Sequence, residues 1–462
     1  MQQKTIRGPV RLEQIHSSGR SVAISDGKKV YIDFGIPGEE VTYALERRKQ
    51  GFRSGKVVEV IAPSPNRIEP FCAHYGECGG CTWQHIDYQH QLTLKRNILC
   101  NALEKYEIET PEIPAVIPST ETHYFRHRLE YTFSARSFGE NSPEGRHDTS
   151  PALGFHSFDE PGKVIDIREC YLQQQPSRSI CEFIKAYALE HHLDFYNQQH
   201  KTGFLRSLSI RVNRSGDTMV VVGFHEDRQV EREKLLRTLM HEFPAIVSAC
   251  WTVHKSHLHS QMQGEIIPFA ESEPYLYKIM GGNRFRVHAS SFFQPNAKQA
   301  EKIFHTIQQW AELTGSEKVY DLYTGVGTIA LFLVPGAKQV TGIEGSAGAI
   351  DDARANARMN GIENAEFMVG DILETFKPEF LDQHGKPDLI VLDPPRSGTL
   401  IEIKKTINLS GAKKVIYLSC NPVSLAFDLK QLTEVYRVTR IQPFDMLPHT
   451  QHLETLVMLE IC

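Results

Sequence analysis

Apolar and polar positions change period three times along the chain. From residue 1 to about 60 they alternate in short runs: Val10–Ile15, Ser21–Ile24, Lys29–Phe34, Glu40–Glu46 and Gly55–Val60. Asp26-Gly27 and Pro37-Gly38 separate some of these runs, so the pattern predicts five short strands. Five strands at such close spacing suggest a small OB-like barrel, a scaffold that often holds nucleic acid. From Asp87 to about Leu103 the period lengthens, with Leu92, Ile98, Leu99 and Leu103 at roughly helical spacing. Cys100, on that helix, reads as core. Alternation returns at residues 124–135, 153–157, 207–213 and 218–224, around one or two helices.

Beyond about residue 291, apolar runs alternate with helical stretches. Lys318–Tyr323, Val340–Glu344, Ala365–Val369, Leu389–Asp393, Val415–Cys420 and Leu453–Leu459 read as strands, and Ala347–Asn360 as a helix. Strand–helix alternation of this kind predicts a mostly parallel, doubly wound sheet. The expected architecture is α/β, in three parts: an OB-like barrel over 1–62, an α+β central part over 63–290 and a Rossmann-like domain over 291–462. The helix near 87–106 is a candidate to pack on the last of these.

Composition adds limits. The 462 residues carry a formal charge of -5, so the chain as a whole is not a basic nucleic-acid binder. Residues 1–60 nevertheless hold 11 Lys and Arg against 7 Asp and Glu, with Arg47, Arg48, Lys49 and Arg53 close together. A basic module on an acidic body hints at a polyanionic partner. No apolar run reaches membrane-span length, and MQQKTIRGPV lacks the apolar core of a signal peptide. The expected setting is the cytoplasm, where thiols stay reduced.

Nine cysteines there point to metal or catalysis more than to disulfides. FCAHYGECGGCTWQH spaces Cys72, Cys78 and Cys81 as C-x5-C-x2-C, and Cys170 is the natural fourth ligand. Four thiolates suit either zinc or an iron–sulfur cluster. His254, His257 and His259 read as a solvated strand or loop, Arg126–His127–Arg128 as a basic exposed edge, and Cys181 and Cys250 as structural.

The cofactor signal lies in VYDLYTGVGTIALFL. Gly325 and Gly327 allow close approach to the backbone, and Glu344 ends the next strand 23 positions after Asp321. An acid there can accept ribose hydroxyls, a shape that fits NAD or S-adenosylmethionine. In VLDPPRSG, Asp393 leaves a strand into a stiff Pro-Pro turn, as a polar clamp or a helix cap. KVIYLSCNP ends a buried strand on Cys420, where a thiol can be a nucleophile, and HLETLVML sets Glu454 within reach of it.

SFFQPN, DLYTGVGT, IEGS, LDPPR, LSCNP and HLETL occur in that order. Together they resemble the S-adenosylmethionine-dependent RNA uracil-5 methyltransferase family. The N-terminal module is similar to that family's TRAM domain, and Cys72, Cys78, Cys81 and Cys170 resemble the [4Fe–4S] site of its 23S rRNA branch; the tRNA branch generally lacks both. The resemblance implies that Cys420 is the nucleophile and Glu454 the base. It implies that Gln294, Tyr323, Gly325, Gly327, Thr328, Glu344, Asp371 and Asp393 form the cofactor site. Thr328 and Asp371 stand where relatives often carry amides, and Thr324 where Cys is common, a change expected to matter little. The expected partner is RNA, 23S rRNA first, with tRNA as the alternative substrate, no membrane, and a monomeric chain. An N-methyltransferase using DPPR, or a non-catalytic ribosome-assembly protein, would leave Cys420 and Glu454 without roles.

Overall fold

The structure, a computed structural model, describes residues 5–46, 53–135, 150–160, 162–254 and 264–462. Arg47, Arg48, Lys49, His257 and His259 lie outside the described residues.

Strands β1 (Ile6–Arg11), β2 (Gln14–Ile15), β3 (Ser21–Ser25), β4 (Lys28–Asp33), β5 (Glu40–Leu45) and β6 (Arg53–Ala62) form one sheet, ordered β1-β5-β6-β4-β3-β2. Val30 and Ile32 of β4 and Val41 and Tyr43 of β5 point into a small core with Leu12 and Ala23. The run expected over Val10–Ile15 splits in two at Leu12. That side chain is buried, and its N–H bonds Glu39 instead of a strand neighbour.

Helix α1 (Tyr88–Lys105) starts where the Asp87 carboxylate accepts the N–H groups of Gln89 and His90. The central sheet contains β7 (Arg128–Ser134), β8 (Ala152–His156), β9 (Val164–Asp166), β10 (Leu205–Val212), β11 (Thr218–Phe224), β12 (Ile246–Val253) and β13 (Ile267–Pro268). Its order is β13-β12-β11-β10-β7-β8-β9. Helices α2 (Ser177–Glu190) and α3 (Gln229–Glu242) pack on it through Ile180, Ile184, Leu235 and Leu239. The expected exposed edge at 126–128 is not one: His127 is buried and Arg128 pairs with Glu130. His254 is buried as well.

A hairpin follows, β14 (Tyr275–Met280) and β15 (Asn283–His288). Its Met280, Phe285 and Val287 enter the same buried cluster as the sheet that comes next. That sheet is built from α4 (Ala297–Ala311), β16 (Lys318–Leu322), α5 (Thr328–Leu333), β17 (Gln339–Glu344), α6 (Ala347–Met359), β18 (Ala365–Val369), α7 (Ile372–Thr375), α8 (Pro378–His384), β19 (Leu389–Leu392), α9 (Ile401–Ser410), β20 (Lys414–Ser419), α10 (Pro422–Leu432), β21 (Tyr436–Phe444) and β22 (Glu454–Ile461). The order is β18-β17-β16-β19-β20-β22-β21, with the first five parallel and β22 antiparallel to both neighbours. Leu92, Leu99 and Leu103 of α1 share a buried cluster with Leu425 and Leu429 of α10. Among the described residues no helix is long and apolar enough to cross a membrane.

Strand order reverses between β16 and β19, where Leu322 and Leu392 pair at the carboxyl ends. Open α/β sheets place ligands in the crevice beyond such a reversal.

Candidate active site

Beyond β16 the chain turns through three left-handed residues: Tyr323 at φ +64°, Gly325 at +56° and Gly327 at +82°. Such a conformation is strained for tyrosine and free for glycine. Asp321 braces the turn. Its Oδ2 accepts the Thr324 hydroxyl at 2.5 Å and the Ala330 N–H at 3.2 Å. Burial pushes its carboxyl up to about 7. Thr324 is therefore not a neutral replacement, because its hydroxyl is one of two groups satisfying a buried acid.

Tyr323 is held from the far side. Its hydroxyl meets Thr399 Oγ1 at 2.9 Å, and the Thr399 N–H donates to Asp428 at 2.9 Å. Lys404, buried, donates to the same carboxylate at 2.5 Å. Glu344 ends β17 and accepts the Ser346 N–H at 2.8 Å. Asp371 caps α7 through the Leu373 N–H at 2.8 Å. Burial raises the Tyr323 hydroxyl, and the charges of Asp428, Asp371 and Glu344 add to this. Thr328, half-buried, opens α5.

Asp393 is not a helix cap, since α9 begins later with Leu400 at its N-cap. Asp393 instead accepts from Gln294 Nε2 at 3.2 Å. Burial, with Asp321 adding, pushes it up to about 7. In the same loop Phe293 is buried and Phe292 is 69% exposed.

Pairing of Ser419 with Thr455 sets the next positions, Cys420 and Glu454, side by side at the end of β20 and the start of β22. Glu454 is buried, and its Oε2 has no hydrogen-bond partner among the described residues. Burial pushes its carboxyl up to about 8; Asp393 adds to this and Arg396 opposes it. Burial, then Glu454 and Asp393, push the Cys420 thiol up to about 12, against Arg396. Arg396 is fixed at both ends. Its carbonyl accepts Asn421 Nδ2 at 2.9 Å and Ser424 Oγ at 3.1 Å, and its guanidinium donates to His452 Nδ1 at 3.0 Å. A thiol, a buried carboxyl with one unpartnered oxygen and the charge of Arg396 thus come together beyond the ends of β20 and β22. Arg396 and His452 lie inside the quoted motifs LDPPR and HLETL, but only the folded geometry joins them.

Cys72, Cys78, Cys81 and Cys170 line one small cavity together with Gln84 and Glu169. Burial pushes Cys78 and Cys170 up to about 12 and Cys81 to about 11. Among the described residues, however, no three His, Cys, Asp or Glu side chains stand together as a metal-holding group. A shared cavity walled by four soft donors fits a four-thiolate centre in composition.

Arg126, Arg128, Gly79, Gly80, Phe155 and Phe292 line an open cavity of about 600 Å³ beside this loop. It connects the cysteine loop to the loop carrying Gln294.

Residues 277–461 match the family model for tRNA (uracil-5-)-methyltransferase. A Porphyromonas gingivalis protein described as an RNA methyltransferase is 36% identical over 97% of this chain and 99% of its own. One from Bacteroides thetaiotaomicron is 37% identical over 96% and 99%. Among solved structures, the Pyrococcus abyssi tRNA (uracil-54, C5)-methyltransferase in complex with S-adenosyl-L-homocysteine matches with a TM-score of 0.77. The two are 27% identical, and the match covers 98% of this chain and 99% of that one. The chain therefore belongs to the RNA methyltransferase family, of the uracil-5 type.

Proposed function

We propose that this protein transfers a methyl group from S-adenosylmethionine to C5 of a uridine in RNA, with 23S rRNA as the substrate. The observation that carries the reading is the Cys420–Glu454 pair at the ends of β20 and β22. C5 of uracil is a poor nucleophile. The Cys420 thiol gives its proton to solvent, its Sγ bonds to C6, and the C5=C6 pair moves toward the C4 carbonyl, leaving an enolate carbon at C5. S-adenosylmethionine supplies an electrophilic methyl group to that carbon. Glu454 then takes the C5 proton, the C5=C6 bond re-forms and the C6–S bond breaks, freeing the thiolate. Glu454 suits this role because no neighbour competes for its Oε2. Tyr323, Glu344, Asp371 and Thr328 would bind and orient the methyl donor around Gly325 and Gly327, while Gln294 and Asp393 hold the polar edge between donor and base.

The target uridine must leave its stack to reach both groups. Phe292, exposed beside Arg126 and Arg128, offers a ring face for a neighbouring base. Cys72, Cys78, Cys81 and Cys170 would hold a [4Fe–4S] cluster, tying the 72–81 loop to the approach to α2. Anaerobically purified protein should carry ~4 iron and ~4 sulfide, lost together on Cys78→Ser. A full set of zinc in their place would remove the cluster.

The substrate assignment rests on the four-cysteine loop and the N-terminal sheet, which resemble the 23S rRNA branch. The Pyrococcus abyssi structure favours tRNA as a second reading. The deciding experiment offers labelled methyl donor with unmodified 23S rRNA or tRNA, followed by nucleoside analysis. Label in 5-methyluridine of 23S rRNA is the expected result. The same nucleoside in tRNA alone moves the substrate, and label in another nucleoside overturns the roles of Cys420 and Glu454.

A further inference from the structure

A second cavity, of about 630 Å³, lies between the start of β7, the β14–β15 hairpin and the start of α4, and shares Arg126 and His127 with the one beside the cysteine loop. Arg126, His127, Arg214, Lys278, Arg284 and Lys298 line it. None of the residues assigned to methyl transfer or to the cysteine site reaches it.

Lys278 is 7% exposed. Among the described residues its ammonium has no acid and no hydrogen-bond acceptor; it sits 4.9 Å from the centre of the Phe293 ring. Burial pushes its pKa well below the usual value, and the charges that bear on it, Arg211 and Arg214, are both of its own sign and push the same way. Arg126 Nε is likewise buried without an acceptor. The acids in the wall are already engaged. Glu121 pairs with Lys298, and Asp217 accepts Asn213 Nδ2 at 2.9 Å and Ser215 Oγ at 2.8 Å. Arg214 is satisfied outside the cavity by Glu301 at 2.8 Å. Asn296–Lys298 complete the wall, so the positive end of the 15-residue α4 adds to it.

A buried cation without a counter-charge is costly, and the described fold supplies no anion to offset it. We propose that this cavity binds a phosphate group, held by Lys278 and Arg126 at the N-terminus of α4. An oxyanion with several acceptor oxygens suits an ammonium, a guanidinium and helix N–H groups together. The space exceeds a bare phosphate ion, which fits a phosphate carried on a nucleotide or on an RNA backbone. Only the RNA source rests on the methyltransferase reading; phosphate binding does not.

The test follows the thermal midpoint of the full chain in inorganic phosphate and in sodium chloride at matched ionic strength. Phosphate should raise the midpoint of wild-type protein beyond chloride, and Lys278→Met should lose that difference. Equal responses to the two salts, or a Lys278→Met variant that keeps the wild-type response, would overturn the site. Phosphate also stabilises proteins in general by exclusion from their surface, so should that variant not fold, Arg126→Gln takes its place in the same comparison, and keeping the wild-type difference overturns the site. RNA binding against salt then identifies the source. A phosphodiester predicts that Lys278→Met lowers the slope of log affinity on log salt by about one. An unchanged slope beside a phosphate-specific midpoint assigns a free phosphate or nucleotide. A phosphate response in protein that methylates no RNA would sink the function proposed above and leave this site standing.

Discussion

At the scale of single residues, the centre depends on protons held where water would not hold them. Cys420, at about 12, keeps its proton at neutral pH, and Glu454, at about 8, is largely protonated there. A base works only when deprotonated, so the free-enzyme rate should rise with pH through about 8. Glu454→Gln should remove that contribution and leave the shallower rise set by the Cys420 thiol, as pH–rate profiles would reveal. The same variant should accumulate a methylated RNA–protein adduct on denaturing gels, its turnover down ~100–10,000-fold. Cys420→Ala should lose methyl transfer by ~1000-fold or more and still bind the methyl donor in calorimetry. Both residues were legible in the sequence because each ends or begins an apolar run inside a short motif. The sequence alone makes Thr324 look neutral and gives Asp428 no signal. Their partners are set by the fold: Thr324 meets an acid at a strand end, and Asp428 meets Thr399, 29 positions away, and Lys404, 24 away.

Elements impose a second set of demands. The glycine turn strains any side chain at Gly327, where φ is +82° and a Cβ would sit 3.1–3.2 Å from Phe367 and Ala353. Gly327→Ala should cost ~1–3 kcal/mol in unfolding and weaken donor binding, measured by denaturant titration and calorimetry. Asp428→Ala should cost more, ~3–5 kcal/mol, because it strands the buried Lys404 ammonium and releases Thr399 from its carboxylate. The parallel strands β16, β17, β19 and β20 are readable to within a residue, since strands buried on both faces are continuous apolar runs, and the edge strand β18 is short enough for its apolar Phe367 and Met368 to mark it. β21 was missed for the converse reason. It is an edge strand interrupted by Arg437, Arg440 and Pro443, and it shows the mixed pattern that edges adopt.

Across the whole molecule, several buried acids act in one direction. Asp321 and Asp393 stand at about 7 and Glu454 at about 8, all above the range of an unfolded chain. Between about pH 4 and 8 the folded state holds protons that the unfolded chain has released, so stability from these groups is full at the acid end and lost as pH rises. Below about pH 6.5 the buried histidines His85, His254, His449 and His452, held neutral by burial, act the other way. The thermal midpoint should therefore fall from about pH 7 to 8, where only the acids still titrate, and Glu454→Gln should flatten that fall, by scanning calorimetry. The layering of the molecule was legible in outline from its changes of period. The allegiance of the β14–β15 hairpin was not, because Met280, Phe285 and Val287 find their partners in helices and strands that begin later in the chain.

The order β20-β22-β21 also bears on errors of synthesis. A chain halted near Thr450 would have made both flanking strands but not the one between them. The product would lack more than Glu454. It would carry a strand-wide slot with two open ladders of N–H and C=O groups, each able to capture the 454–461 segment of an intact neighbour. Truncated copies would then sequester full-length ones, so a nonsense change this late should act dominantly, through coaggregation.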